Sequence, residues 1–173
     1  MFLLLTAKNA KCAKKKNLGD RQAQYNLAVE FWRGESVPHD VSKAAILWRL
    51  AYEQGDLDAA SNLGYLLFNG QGVPRDQETA IKLWRIAASG GQAEAHLHLS
   101  REHSPGGFLE ADLSEAYARA LAARLIAGRS KGELAGAIIE AADAELEALR
   151  PQLSASQLRQ AEQRGREYAR INE

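Results

Sequence analysis

The sequence predicts an all-α fold, a solenoid of about three helix hairpins closed at its C-terminal end by a helical cap. Three observations predict it. Alanine is abundant while proline, phenylalanine and isoleucine are scarce, a mix that favours helix because alanine loses no side-chain freedom on entering one. The chain repeats itself at a spacing of 36 residues. Within each repeat the apolar positions recur every three or four residues, the spacing of one helix face.

Sliding the chain against itself by 36 positions brings Gly19 onto Gly55 and Gly91, Ala23 onto Ala59 and Ala95, and Leu27 onto Leu63 and Leu99. Gly34, Gly70 and Gly106 align, as do Asp40, Asp76 and Asp112, and Ala44, Ala80 and Ala116. Val37-Pro38 falls on Val73-Pro74, Trp48 on Trp84, and Ala51 on Ala87 and Ala123. The register holds over two periods without an insertion and divides the chain into units 19–54, 55–90 and 91–127.

The elements follow in order. Residues 1–18 carry Lys8, Lys11, Lys14, Lys15 and Lys16, five of the eight lysines, and no acidic residue precedes Asp20. This segment reads as a solvated basic arm or as a helical extension over the first end of the array. Phe2-Leu3-Leu4-Leu5 is too short for the apolar core of a signal peptide, and the lysines follow it instead of preceding it. The expected location is therefore cytoplasmic, with export left open to a truncated or misassigned N-terminus.

In the first unit Ala23, Leu27, Ala28 and Phe31 share one face of a helix A, and Ala44, Leu47, Trp48 and Ala51 one face of a helix B. In the second, Ala59, Leu63, Gly64 and Leu67 match the former and Ala80, Leu83, Trp84 and Ala87 the latter. Small residues let two helices approach, and the tryptophans supply bulk at the complementary position. Pro38 and Pro74 prevent the preceding loop from continuing as helix. Asp40 and Asp76 stand where an N-cap belongs, and Gly55 and Gly91 where a left-handed C-cap belongs. The third unit is degenerate. Beyond it, residues 128–173 are expected to cover the last apolar face, as the end of any stacked array requires. A helical stretch over Ser130–Leu149 precedes Pro151, and Ser154 or Ser156 caps a last helix to about Ile171. Arg159, Glu162, Arg166 and Arg170 form its outer face.

The run Ala59, Leu63-Gly64, Leu67, Gly70, Gly72-Val73, Asp76, Ala80, Trp84, Ala87-Ala88 and Gly91 resembles the Sel1-like repeat, an α/α repeat related to the tetratricopeptide repeat but slightly longer. Leu67 and, in the first unit, Phe31 replace the aromatic, usually tyrosine, that the family prefers there. The first unit also has Ala28 for the family glycine and Ser36 for the second loop glycine. In the third, Ser104-Pro105-Gly106-Gly107 opens the loop and Ala120 replaces the tryptophan. The resemblance covers roughly 19–127 and implies a right-handed solenoid of Sel1-like hairpins, with closing helices after it.

The chemistry-bearing residues are few. Net charge is zero, with 22 basic and 22 acidic residues, so no global field marks the chain for nucleic acid or a membrane surface. The lysine cluster lacks the interleaved aromatics of a single-strand binder, so no nucleic-acid partner is expected. No apolar run has transmembrane length. One cysteine, Cys12, excludes an internal disulfide and a paired-cysteine metal site. The stretch Gly70-Gln71-Gly72-Val73-Pro74-Arg75-Asp76 is not a phosphate loop: it follows a helix, lacks Lys-Ser/Thr, and recurs once per unit. His96, His98 and His103, with Glu94 and Glu102, form the single histidine cluster, read either as surface or groove residues or as metal ligands.

The groove reading starts from the residues opposite the core stripe of each helix A. They are Gln22, Asn26, Val29 and Arg33, then Asp58, Asn62, Tyr65 and Asn69, then Glu94, His98 and Arg101. Asparagine recurs at Asn26 and Asn62, where helix propensity prefers alanine or glutamate, and Tyr65 offers an aromatic anchor. The expected function is a non-enzymatic scaffold or adaptor that binds a partner protein or peptide in this concave groove, without a cofactor. The resemblance adds a sharper form, a bacterial immunity or regulatory protein for a secreted effector. The alternative is a metal-binding or cell-wall-related hydrolytic protein built on His96, His98 and His103. Oligomeric state is left open.

Overall fold

The computed structural model of the chain describes residues 19–131 and 133–170; the basic segment 1–18, with Cys12, lies outside the described residues. All regular structure among them is helical: α1 (Arg21–Arg33), α2 (Val41–Glu53), α3 (Leu57–Asn69), α4 (Gln77–Ser89), α5 (Ala93–Glu102), α6 (Leu113–Ala127), α7 (Glu133–Leu149) and α8 (Ala155–Ala169), with a 3-10 turn at Arg150–Gln152. None of these helices is long and apolar enough to cross a membrane. The chain divides into two compact units, one ending at Asp76 and one beginning at Gln77.

In the first unit α1 packs on α2 and α2 on α3. Each helix starts on an aspartate whose carboxylate accepts a backbone N–H of the first turn: Asp20 from Ala23, Asp40 from Lys43 and Asp56 from Ala59. Asp40 was expected as a cap; Asp20 and Asp56, themselves 36 apart, extend the rule to helix A. Ala28, Ala44, Trp48, Ala51, Ala59 and Leu63 are buried as the helical period predicts. Arg21 reaches the turn between α2 and α3, donating to the carbonyl of Gly55 at 3.3 Å and lying 3.9 Å from the Asp56 carboxylate.

The loop after α3 shows why it needs two glycines. Gly70 ends the helix in the left-handed region at φ 68°, and its N–H donates to the Leu66 carbonyl. Gly72, at φ 67°, lies against the first turn of α2, where a Cβ would fall 2.8 Å from Ser42 N and from Val41 C. The Ser42 hydroxyl donates to the Gly72 carbonyl at 2.8 Å. The loop is thus a packing element, docked on the helix start of the preceding repeat.

In the second unit α6 is the central helix, packed against α5, α7 and α8. Asp112 caps it, accepting from Glu115 N. Ala116, Tyr117 and Ala118 of α6 form a core with Leu149 and with Ala161 of α8. A second cluster joins Leu97 of α5, Ala123 of α6 and Ala142 of α7. Ala120, which replaces the repeat's tryptophan, is fully buried. Two residues earlier in α6, α8 comes so close that a Cβ on Gly165 would lie 2.8 Å from the Ala118 carbonyl oxygen. Helix α7 begins at Glu133, later than the expected Ser130, because Arg129 and Ser130 complete the turn that ends α6. Helix α8 starts on Ser154 in a capping box with Gln157 and is described to Ala169; the expected end at Ile171 lies outside the described residues.

Candidate functional site

In the first unit the expected groove residues lie outside the core. Gln22, Asn26 and Arg33 of α1 and Asp58, Tyr65 and Asn69 of α3 are exposed, while Val29 and Asn62 are half-buried. Asn62 Nδ2 donates to the Tyr25 hydroxyl at 3.4 Å, tying α3 to α1 on this face. Gln22 Nε2 donates to Asn26 Oδ1 at 3.1 Å, and Asn69 Nδ2 to the Tyr65 carbonyl at 2.9 Å. An amide has two donors and two acceptor lone pairs, so one such bond leaves Asn26 and Asn62 with capacity for a partner's main chain. Desolvation by the neighbouring groups, then the charge of Asp56, raises the Asp58 carboxyl from its ordinary value. Tyr25 belongs to this face although the helical wheel did not select it.

The second unit treats its three expected groove residues differently. Glu94 is half-buried. His98 stacks on the buried Trp84, with ring centroids 4.4 Å apart. Arg101 Nε donates to Glu145 Oε1 of α7 at 3.1 Å. Helix α7 therefore already engages α5, through this ion pair and the Leu97–Ala142 cluster.

The histidine cluster does not converge. His96 points into the core, 1% exposed, with its Nε2 3.1 Å from the Ala88 carbonyl oxygen and its Nδ1 buried without a hydrogen-bond partner. This corrects the expectation of a surface or groove residue: position 96 lies one residue from the core position Ala95, and the wrapping of α8 turns that flank inward. Burial, then the Arg119 charge, lowers the His96 pKa to about 4. Burial, then Arg101, lowers that of His98 to about 4 as well. Both rings are neutral at pH 7. His103 caps the end of α5 beside a depression of about 580 Å³ that Glu110, Asp112, Ser114 and Gln157 also line. Among the described residues no three His, Cys, Asp or Glu side chains are grouped to hold a metal ion, and the three histidines face three different surroundings.

Sequence reasoning missed Glu115, a carboxylate tied to three side chains. Its carboxylate accepts Arg119 Nε at 2.7 Å, Arg164 at 2.9 Å and the Tyr168 hydroxyl at 2.9 Å. Burial pushes this carboxyl up, but the hydrogen bonds from Arg164, Arg119 and Tyr168 outweigh it and hold the carboxyl below its ordinary value. The Arg119 guanidinium also lies 4.4 Å from the Tyr168 ring centre. The cluster locks α8 to α6. Only the Glu115–Arg119 spacing of four was legible locally; the partners from α8 lie 49 and 53 residues away.

The profile of the Sel1 repeat matches residues 21–56 and 57–92, each starting two positions after the units read from the sequence. No curated protein matches the chain. Among solved structures, c5321, a protective antigen present in uropathogenic Escherichia coli strains that displays an SLR fold, aligns with a TM-score of 0.78 and 25% identity over 96% of this chain. A Sel1 repeat protein from Oxalobacter formigenes aligns with a TM-score of 0.60 and 20% identity over 93% of it. The chain spans 34% of the first protein's length and 61% of the second's. The fold class is thus the all-α solenoid expected, and residues 21–92 match the Sel1 repeat in two tandem copies.

Proposed function

We propose that the protein is a non-enzymatic adaptor that binds an extended segment of a partner protein on the α1–α3 face, with Asn26 and Asn62 holding main chain and Tyr65 anchoring a side chain. A Sel1-repeat scaffold is a fold that typically serves protein–protein interaction. The observation that carries the reading is the recurrence of asparagine at matching positions of two tandem repeats, beside a tyrosine that is 37% exposed. Arg101 and His98 are engaged by α7 and Trp84, so the proposal rests on the first unit. Affinity capture from the native host, with the wild type and with Asn62→Ala plus Tyr65→Ala, tests it. A partner retained by the wild type and lost by the double variant is expected. Recovery of the same proteins by both would sink the groove reading.

The sharper form is a bacterial adaptor or immunity protein that restrains a secreted effector in the cytoplasm. Its support is the small helical-repeat scaffold and the bacterial origin of c5321. An effector gene beside this one, whose toxicity this chain suppresses on co-expression, is the expected outcome. Undiminished toxicity would remove this form and leave the adaptor standing.

A further inference from the structure

We propose that α8 is an acid-sensitive latch, released from α5 and α6 when His96 takes up a proton. The geometry sets the device. The His96 ring is sealed between α4, which presents the Ala88 carbonyl 3.1 Å from Nε2, and Tyr168 of α8, whose ring centre is 5.8 Å away. The charged groups facing it are Glu115 and Arg119 on α6; Arg164 of α8, with Tyr168, reaches Glu115. His98, on the same helix, faces Trp84 instead.

In the docked state Nε2–H donates to Ala88 and the neutral Nδ1 has no partner. A second ring proton would place a buried N–H donor there without an acceptor, beside the Arg119 guanidinium. Glu115 does not readily rescue it, because its oxygens already accept from Arg119, Arg164 and Tyr168. The bound proton is best accommodated by letting water reach the ring, and the removable cover is Tyr168 with the helix that carries it. Undocking also frees Arg164 from Glu115, so the helix leaves as one piece.

The sign of the effect follows from linkage. Docked His96 titrates at about 4 and an exposed histidine at 6.5, so the undocked state binds more protons between these values and gains on the docked state as pH falls. Lowering the pH from 7 to 5 then weakens docking about 20-fold. Glu115 contributes only below its ordinary 4.5, so the window above pH 5 isolates His96.

Backbone hydrogen exchange, corrected for the intrinsic pH dependence, tests the latch on the full chain. The protection of α8 amides is expected to fall about 20-fold between pH 7 and 5 while α1–α3 amides hold theirs. His96→Gln keeps a donor for Ala88 but does not titrate, and it should abolish most of that fall, whereas His98→Gln should not. Unchanged α8 protection in the wild type, an equal fall in His96→Gln, or simultaneous loss throughout the chain would each overturn the proposal. If His96→Gln fails to fold, the wild-type ring resonance of His96 decides: titration near the ordinary 6.5 refutes the latch, and a neutral ring down to pH 5 in the docked population, with the α8-specific fall, supports it.

Discussion

Gly72 shows how a single residue can carry a repeat's architecture. Its left-handed φ of 67° alone would make an alanine there costly, and the first turn of α2 occupies the space where the Cβ would go. Gly70, at φ 68°, has the same backbone requirement, but its nearest obstacle is the Arg75 Cβ at 3.2 Å, a milder contact. Gly70→Ala is therefore expected to cost about 1 kcal/mol, the strain of the left-handed region. Gly72→Ala should cost about 3 kcal/mol, because rigid backbone must also move. Chemical denaturation followed by circular dichroism checks the order of the two; equal costs would show that the loop does not bear on α2. The same logic rejects a ligand role for the glycines, since Ser42 and Gly72 already satisfy one another.

At the scale of elements, the close seat of α8 on α6 can be tested with a pair of helical glycines. Replacing a helix-interior glycine by alanine ordinarily gains about 1 kcal/mol. At Gly136 of α7 no atom lies within 4 Å of the added Cβ, so Gly136→Ala should realise that gain. At Gly165 the Cβ would meet the Ala118 carbonyl oxygen at 2.8 Å and Leu121 at 3.0 Å. Overpacking of this kind costs about 1–3 kcal/mol, which offsets or exceeds the propensity gain. Gly165→Ala should therefore lower the melting temperature while Gly136→Ala raises it. A rise in both would mean that α8 sits more loosely on α6 than the structure shows.

For the whole molecule, the two depressed histidines, both in the second compact unit, predict a pH dependence of stability that falls on that unit. Each folded-state pKa of about 4 lies below the ordinary 6.5, so the unfolded chain binds more protons between those values and stability falls with pH across that window. The loss for His96 reaches about 3 kcal/mol below pH 4, and that for the half-buried His98 is smaller. Glu115, held below its ordinary 4.5, adds its loss only as pH drops under that value. Calorimetric melts at pH 7 and 5 should show the lower temperature at pH 5, and His96→Gln plus His98→Gln should flatten the difference. A wild-type melting temperature independent of pH in this range would contradict the burial of His96 and the partial burial of His98.

The sequence by itself determined the repeat, the helix faces and several of the turns. These are local signals: Ala44, Trp48 and Ala51 lie within two turns of one helix, and Asp40 caps the helix that starts one residue later. The α1–α3 face was legible for the same reason, because a helical wheel fixes which side chains oppose the core. Tertiary structure alone decided what happens after the second repeat. Arg101 reads as a groove residue until α7 supplies Glu145, 44 residues away. His96 reads as polar surface until α8 brings Tyr168 over it, and Glu115 looks like one more surface carboxylate until Arg164 and Tyr168 arrive. Periodicity and capping act within a few residues and leave their pattern in the chain. Burial and ion pairing depend on which distant helix covers a side chain, and only packing in three dimensions settles that.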